Sequence, residues 1–269
     1  MAKLPNVAVK RDANIGWGGG GTLRKTLLGA FELLDAGPWE YYVVLSGQDL
    51  PLKDNATIKE RLARGAASGT SYLRAHLARP VPLESLPIDN PTDECRLWGD
   101  RGHTRVWARP GTIDPQVDMY ARRLVDVAEV GERGEVYVGL CDPLLARRRD
   151  DFFAKYPFHV GANWFNLHRT LVEHMRDDPF AYELYDVMRT TFIPDESYVQ
   201  TYAMNSAFRD RIDPDHGRLI LRPGPVPRVK VMDMSDLEAI RGSDALFGRK
   251  FDTRHDKRVV REVLGARAA

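Results

Sequence analysis

The order of segments predicts an α/β fold with a mostly parallel central sheet flanked by helices, and three observations carry that reading. Residues 6–10 (NVAVK) read as a short strand. A glycine-rich turn at 16–21 leads into Leu23, Leu27, Phe31 and Leu34, an apolar stripe at helical spacing. Residues 41–45 (YYVVL) are a continuous β-rich apolar run of the kind covered on both faces of a sheet. Strand, helix and strand in that order suit a parallel crossover, and ligands of such sheets sit at strand C-terminal ends.

The remaining elements follow from the same periodicities. Gly37 and Pro38 stop the first helix, 58–67 predicts a second, and 70–75 a further strand. From 79 to 115 the pattern dissolves into prolines and charges around Trp98 and Trp107, which marks an irregular loop suited to binding. Residues 116–130 predict a helix, 135–140 a strand, and 163–167 an apolar run leading into a helix from Arg169. Helices at 180–189 and 197–206 come next, then short strands at 219–221 and 229–232 and a charged, peripheral tail.

Composition excludes several function classes. Lys and Arg number 39 against 38 Asp and Glu, so no global field draws nucleic acid. Cys95 and Cys141 are the only cysteines and form no CxxC pair, which argues against a disulfide framework or structural zinc and for a reducing, cytoplasmic setting. The most apolar run, 27–34, is interrupted by Gly29 and Glu32 and is too short to span a bilayer. A soluble protein is expected, with peripheral membrane association left open.

Gly16, Gly18 and Gly21 match the G-x-G-x-x-G spacing of dinucleotide sites, which brings an NAD-dependent oxidoreductase into consideration. Residues 11–14 separate strand from glycines, though, so a turn into a helix is the favoured reading. Asp213, Pro214 and Asp215 could pair carboxylates for a metal, but the setting favours turn chemistry. His168 and His174, six apart, lie on different helix faces. Pro194 predicts an extended Ile193, and Asp195 and Glu196 then open a helix as ordinary caps.

Five blocks in order change the weight of those acids: Trp17 with its following helix, 45–52 (LSGQDLPL), 161–165 (GANWF), 194–198 (PDESY) and 247–252 (FGRKFD). Together they resemble the core-2/I-branching β-1,6-N-acetylglucosaminyltransferase family, which includes the peptide O-xylosyltransferases. The resemblance implies a variant nucleotide-diphospho-sugar transferase (GT-A-like) fold in one domain. Residues 1–78 would be a partial nucleotide-binding half, 79–115 the irregular loop, 116–252 the acceptor and catalytic half, and 253–269 the tail.

It further implies an inverting, metal-independent reaction. N-acetylglucosamine or xylose would pass from a UDP-sugar to a hydroxyl of a glycan, glycolipid or other acceptor, with no cofactor. Glu196 falls on the family's catalytic glutamate and Lys250 on its diphosphate-binding lysine. Arg228 falls on that lysine's basic partner, Arg249 joins these two as a donor diphosphate-binding residue, and Asp49, Trp164, Asp195 and Trp17 line the cleft. The family's first strand, helix and strand are missing, which reads as a truncated product, a wrong start, or a relative that binds sugar or nucleotide without catalysis.

Overall fold

The computed structural model describes residues 7–10, 18–78, 95–97, 125–130, 135–140, 143–223 and 229–265. Helix α1 (Gly20–Ala36) buries Leu23, Leu27, Ala30 and Leu34, one face of a 3.6-residue repeat. It ends at Gly37, whose φ of 142° favours glycine. The Arg169 guanidinium donates to the carbonyls of Leu34 (3.3 Å) and Gly37 (2.8 Å), satisfying acceptors that a helix end leaves open.

Strand β1 (Tyr41–Val43) leads through β2 (Asp49–Pro51) to α2 (Asn55–Ala66), which is capped by the Asp54 carboxylate accepting from Thr57 N. Then come β3 (Ser71–Tyr72), β4 (His76–Leu77) and β5 (Cys95–Leu97), and β6 (Val125–Val130) with β7 (Glu135–Leu140). Helix α3 (Pro143–Lys155), β8 (His159–Val160) and β9 (Asn166–His168) precede α4 (Arg169–Asp177) and α5 (Pro179–Met188). A 3-10 turn at Pro194–Glu196 runs into α6 (Tyr198–Met204). The rest comprises β10 (Ile212–Asp213), β11 (Arg218–Ile220), α7 (Leu237–Gly242), β12 (Phe247–Arg249) and α8 (Lys257–Gly265).

The fold is mixed α/β, but the described sheets are not mostly parallel. The larger has the order β1-β9-β3-β10, with β9 antiparallel to β1 and β3, and only β10 with β3 parallel. Because β1 and β3 both oppose β9, they point the same way, as the strand-helix-strand order predicts. The later strand β9 separates them. A second sheet, β11-β12-β2, pairs β12 parallel to β11 and antiparallel to β2.

Five local expectations need correction. Residues 125–130 are a strand, not the end of a helix, in register with β7 from Val125 opposite Leu140 to Val130 opposite Glu135. β1 is half-buried rather than covered on both faces. Residues 7–10 form no strand, and neither do 229–232, although Lys230 N donates to Leu221 O and Met232 N to Lys250 O, both at 2.8 Å. The tail is not wholly peripheral, since α8 buries Val259 and Val263, one helical turn apart.

Two hydrophobic clusters stand out among the described residues. One joins α1, α4, α5 and α6 around Phe165, Leu184 and Tyr202; the other gathers Met232, Ile240, Phe251, Val259 and Val263 beneath β2 and β12. No helix among the described residues is long and apolar enough to cross a membrane.

Candidate functional site

The acidic turn is fixed from behind by glycines. Ile193 takes φ 49° and ψ 54°, the left-handed region, rather than the extended shape expected before proline. For a β-branched residue this costs about 1–3 kcal/mol and persists only where the surroundings impose it. Here Ile193 N donates to Gly18 O at 2.8 Å, its side chain is buried, and Glu196 N donates back to Ile193 O at 3.2 Å. Gly18 has φ 88°, and a Cβ on Gly20 would stand 2.1 Å from the Arg189 carbonyl oxygen. Gly18 and Gly20 let chain approach chain here, whereas Gly16 of the dinucleotide-like spacing lies outside the described residues.

Asp195 and Glu196 are not helix caps. They occupy the 3-10 turn, and Ser197 is the N-cap of α6 without a side-chain cap bond. The Asp195 carboxylate accepts from Asn163 Nδ2 at 3.0 Å, and the Glu196 carbonyl accepts from Gly161 N at 2.7 Å. Segment 161–165 thus lies directly against the turn. Glycine is required at 161, because a Cβ would sit 2.1 Å from the Arg74 carbonyl oxygen. Gln200 Nε2 donates to Ala162 O at 2.9 Å, Val44 N to Phe165 O at 3.2 Å, and the fully buried Phe165 anchors the end.

On the other side, the β2–β12 register sets Arg249 opposite Asp49. Arg249 Nε lies 3.8 Å from Asp49 Oδ1, with only 10% and 1% of the two side chains exposed. The Arg249 guanidinium lies 3.6 Å from the centroid of the Trp164 ring, a cation–π contact. Burial pushes its pKa below the usual arginine value, Asp49 opposes that shift, Arg222 adds to it, and Glu196 opposes it again. Glu196, half-buried, is therefore within electrostatic reach of Arg249.

Arg218, which sequence reasoning did not single out, completes the charge cluster. It is buried, donating to Asn166 Oδ1 at 2.6 Å, to Val44 O at 2.9 Å, to Phe165 O at 3.4 Å and to the His216 carbonyl. Its guanidinium also lies 4.9 Å from the Phe247 ring centroid. Burial pushes its pKa down to about 10, Asp49 opposing and Arg249 assisting. Asp49 Oδ1, Arg249 Nε and Nη1, and Arg218 Nε are buried without hydrogen-bond partners. The Asp49 Oδ2 accepts from Ser46 N.

The structure thus brings Glu196, Asp195, Trp164, Arg249 and Asp49 together. Lys250 follows Arg249 and lines a cleft of about 540 Å³ with Gly47, Gln48 and Asp252. Trp17 and Arg228 lie outside the described residues, and Arg222 is a basic residue near Arg249 that the sequence did not flag. Asp213 and Asp215 form the expected turn: Asp213 Oδ1 accepts from Asp215 N at 2.8 Å, and Asp215 Oδ1 from Gly217 N at 3.0 Å. Among the described residues, no group of three or more His, Cys, Asp or Glu could hold a metal ion.

Residues 142–220 match the family model of the Core-2/I-Branching enzyme, less than a third of the chain. That stretch contains segment 161–165, the Pro194–Glu196 turn and β11, whereas Asp49, Arg249 and Lys250 lie beyond it. No curated protein matches the chain. Residues 142–220 are therefore similar to the Core-2/I-Branching enzyme family, a likeness that suggests glycosyltransferase activity.

Proposed function

We propose that the protein is an inverting, metal-independent glycosyltransferase moving N-acetylglucosamine or xylose from a UDP-sugar to an acceptor hydroxyl, on a GT-A-like fold, with Glu196 as general base. One observation carries the reading: the half-buried Glu196, from the family-matched stretch, shares an electrostatic environment with Arg249, which adjoins the Lys250 cleft.

The chemistry asks for this combination. Inversion in a single displacement needs a carboxylate to take the proton of the attacking hydroxyl as its oxygen bonds the anomeric carbon. The glycosyl–phosphate bond breaks on the opposite side, its electron pair leaves with UDP, and cations must meet the charge where it develops. Unit charges about 4 Å apart attract by roughly 4 kcal/mol at an effective dielectric near 20, so Lys250 and Arg228 could together serve. Arg228 would add a bidentate fork.

UDP release from UDP-N-acetylglucosamine and UDP-xylose, measured over a panel of hydroxyl acceptors with and without chelator, tests this. Release should survive chelator, and Glu196→Gln should lower it by about a hundredfold or more. Turnover abolished by chelator would overturn metal independence, and an active Glu196→Gln would remove the base.

A further inference from the structure

We infer that Arg249 is a positioning residue, which holds segment 161–165 and with it the Glu196 turn against the small sheet, rather than a ligand of the donor phosphates. The inference rests on the glycosyltransferase reading above and concerns how that site is held together.

A guanidinium that bound a diphosphate would turn its N–H edge toward a cleft. Two of the three Arg249 nitrogens, Nε and Nη1, are instead out of contact with solvent, and 10% of the side chain is exposed. Its flat face covers Trp164 at 3.6 Å, and Asp49 stands 3.8 Å away as counter-charge. From Trp164 the contacts run on through its neighbour Asn163 to the Asp195 carboxylate at 3.0 Å, and through Gly161 to the Glu196 carbonyl at 2.7 Å. One side chain thereby ties β12 and β2 to the turn that carries the proposed base. Lysine offers charge at this position without a planar face to stack on the indole.

The test compares kcat and UDP affinity, the latter by calorimetry, in Arg249→Lys, Trp164→Leu and Trp164→Phe, with UDP-N-acetylglucosamine or UDP-xylose as donor. Thermal melts of each variant confirm that it folds. Arg249→Lys and Trp164→Leu should each lower kcat by about tenfold or more, since small misplacements of reacting groups are costly, while UDP affinity stays within about twofold. The double variant should fall little further than either single, because both break one contact. Trp164→Phe, which keeps an aromatic face, should retain most of the activity.

A tenfold weaker UDP affinity in Arg249→Lys with kcat retained would make Arg249 a phosphate ligand and overturn the inference. So would an unchanged kcat in Trp164→Leu. Should Arg249→Lys fail to fold, the two Trp164 variants carry the comparison alone. No UDP release by the wild-type protein with either donor over the acceptor panel would instead sink the glycosyltransferase reading on which the inference rests.

Discussion

The two hydrophobic clusters are held by different means. Around α1, α4, α5 and α6 the cluster closes on itself with fully buried Leu23, Phe165, Leu184 and Tyr202. The cluster beneath β2 and β12 has few fully buried members and leans on half-buried Leu50, Leu52, Leu219 and Leu221. Polar contacts cross the seam between them: Arg218, on β11, donates hydrogen bonds to Val44, Phe165 and Asn166. Glu196 belongs to the first region and Arg249 and Lys250 to the second, so the proposed site spans a junction that these charged hydrogen bonds cross.

Breaking the junction should therefore cost most. Arg218→Met leaves buried carbonyls and Asp49 short of a partner, and a loss of about 3–5 kcal/mol in urea unfolding is expected. A loss below about 1 kcal/mol would show that the seam is apolar after all.

Acid should loosen the same region next. Burial pushes the pKa of His216 down to about 4 from the ordinary 6.5, with Arg74 and Arg218 adding to the shift. Its Nδ1 accepts from Arg218 N at 3.1 Å, which needs the neutral ring. Between those two values the unfolded chain binds a proton that the folded chain refuses, so the contribution is complete above pH 6.5 and is lost as pH falls toward 4. Its size is about 3 kcal/mol. Chemical denaturation at a series of pH values, repeated for His216→Gln, should show that dependence shrink in the variant.

Two glycines sharpen the contrast on a smaller scale. At Gly161 the obstacle is the Arg74 backbone oxygen, 2.1 Å from where a methyl would stand, so Gly161→Ala should cost about 1–3 kcal/mol and displace the turn that it bonds. At Gly248 the nearest atoms are the Leu52 methyls, at 3.0 and 3.1 Å, and the Phe251 ring edge at 3.1 Å. An alanine there is a tight fit, yet a leucine end can swing aside. Gly248→Ala should cost less than about 1 kcal/mol by thermal melt.

Much of the helical region was legible locally. Leu23, Leu27 and Leu34 marked the buried face of α1, and Asp178 before Pro179 begins α5 with its carboxylate accepting from Phe180 N. The 135–140 run is β7 to the residue. Its partner β6 was misread because a valine-rich segment gains its strand character by pairing, which only the register reveals. Val259 and Val263, four apart, did carry a helical signal that the surrounding charges obscured.

In the site, resemblance singled out Glu196 and Lys250, but nothing local marks Arg218 as buried. Its partners come from three distant segments, and an arginine opening a short apolar run reads as a strand end. The left-handed Ile193 likewise depends on a bond to Gly18, and the Arg249 stack on Trp164 joins segments far apart in the chain.

Central to the account is a division of labour across the seam, with donor held on the Lys250 side and proton taken on the Glu196 side. Calorimetric titration of UDP into the wild-type protein, Lys250→Ala and Glu196→Gln addresses it most directly. The account predicts that Glu196→Gln binds UDP as wild type does, while Lys250→Ala binds it about tenfold more weakly, the loss of one charge-assisted contact. Unchanged affinity in Lys250→Ala together with weakened affinity in Glu196→Gln would contradict it.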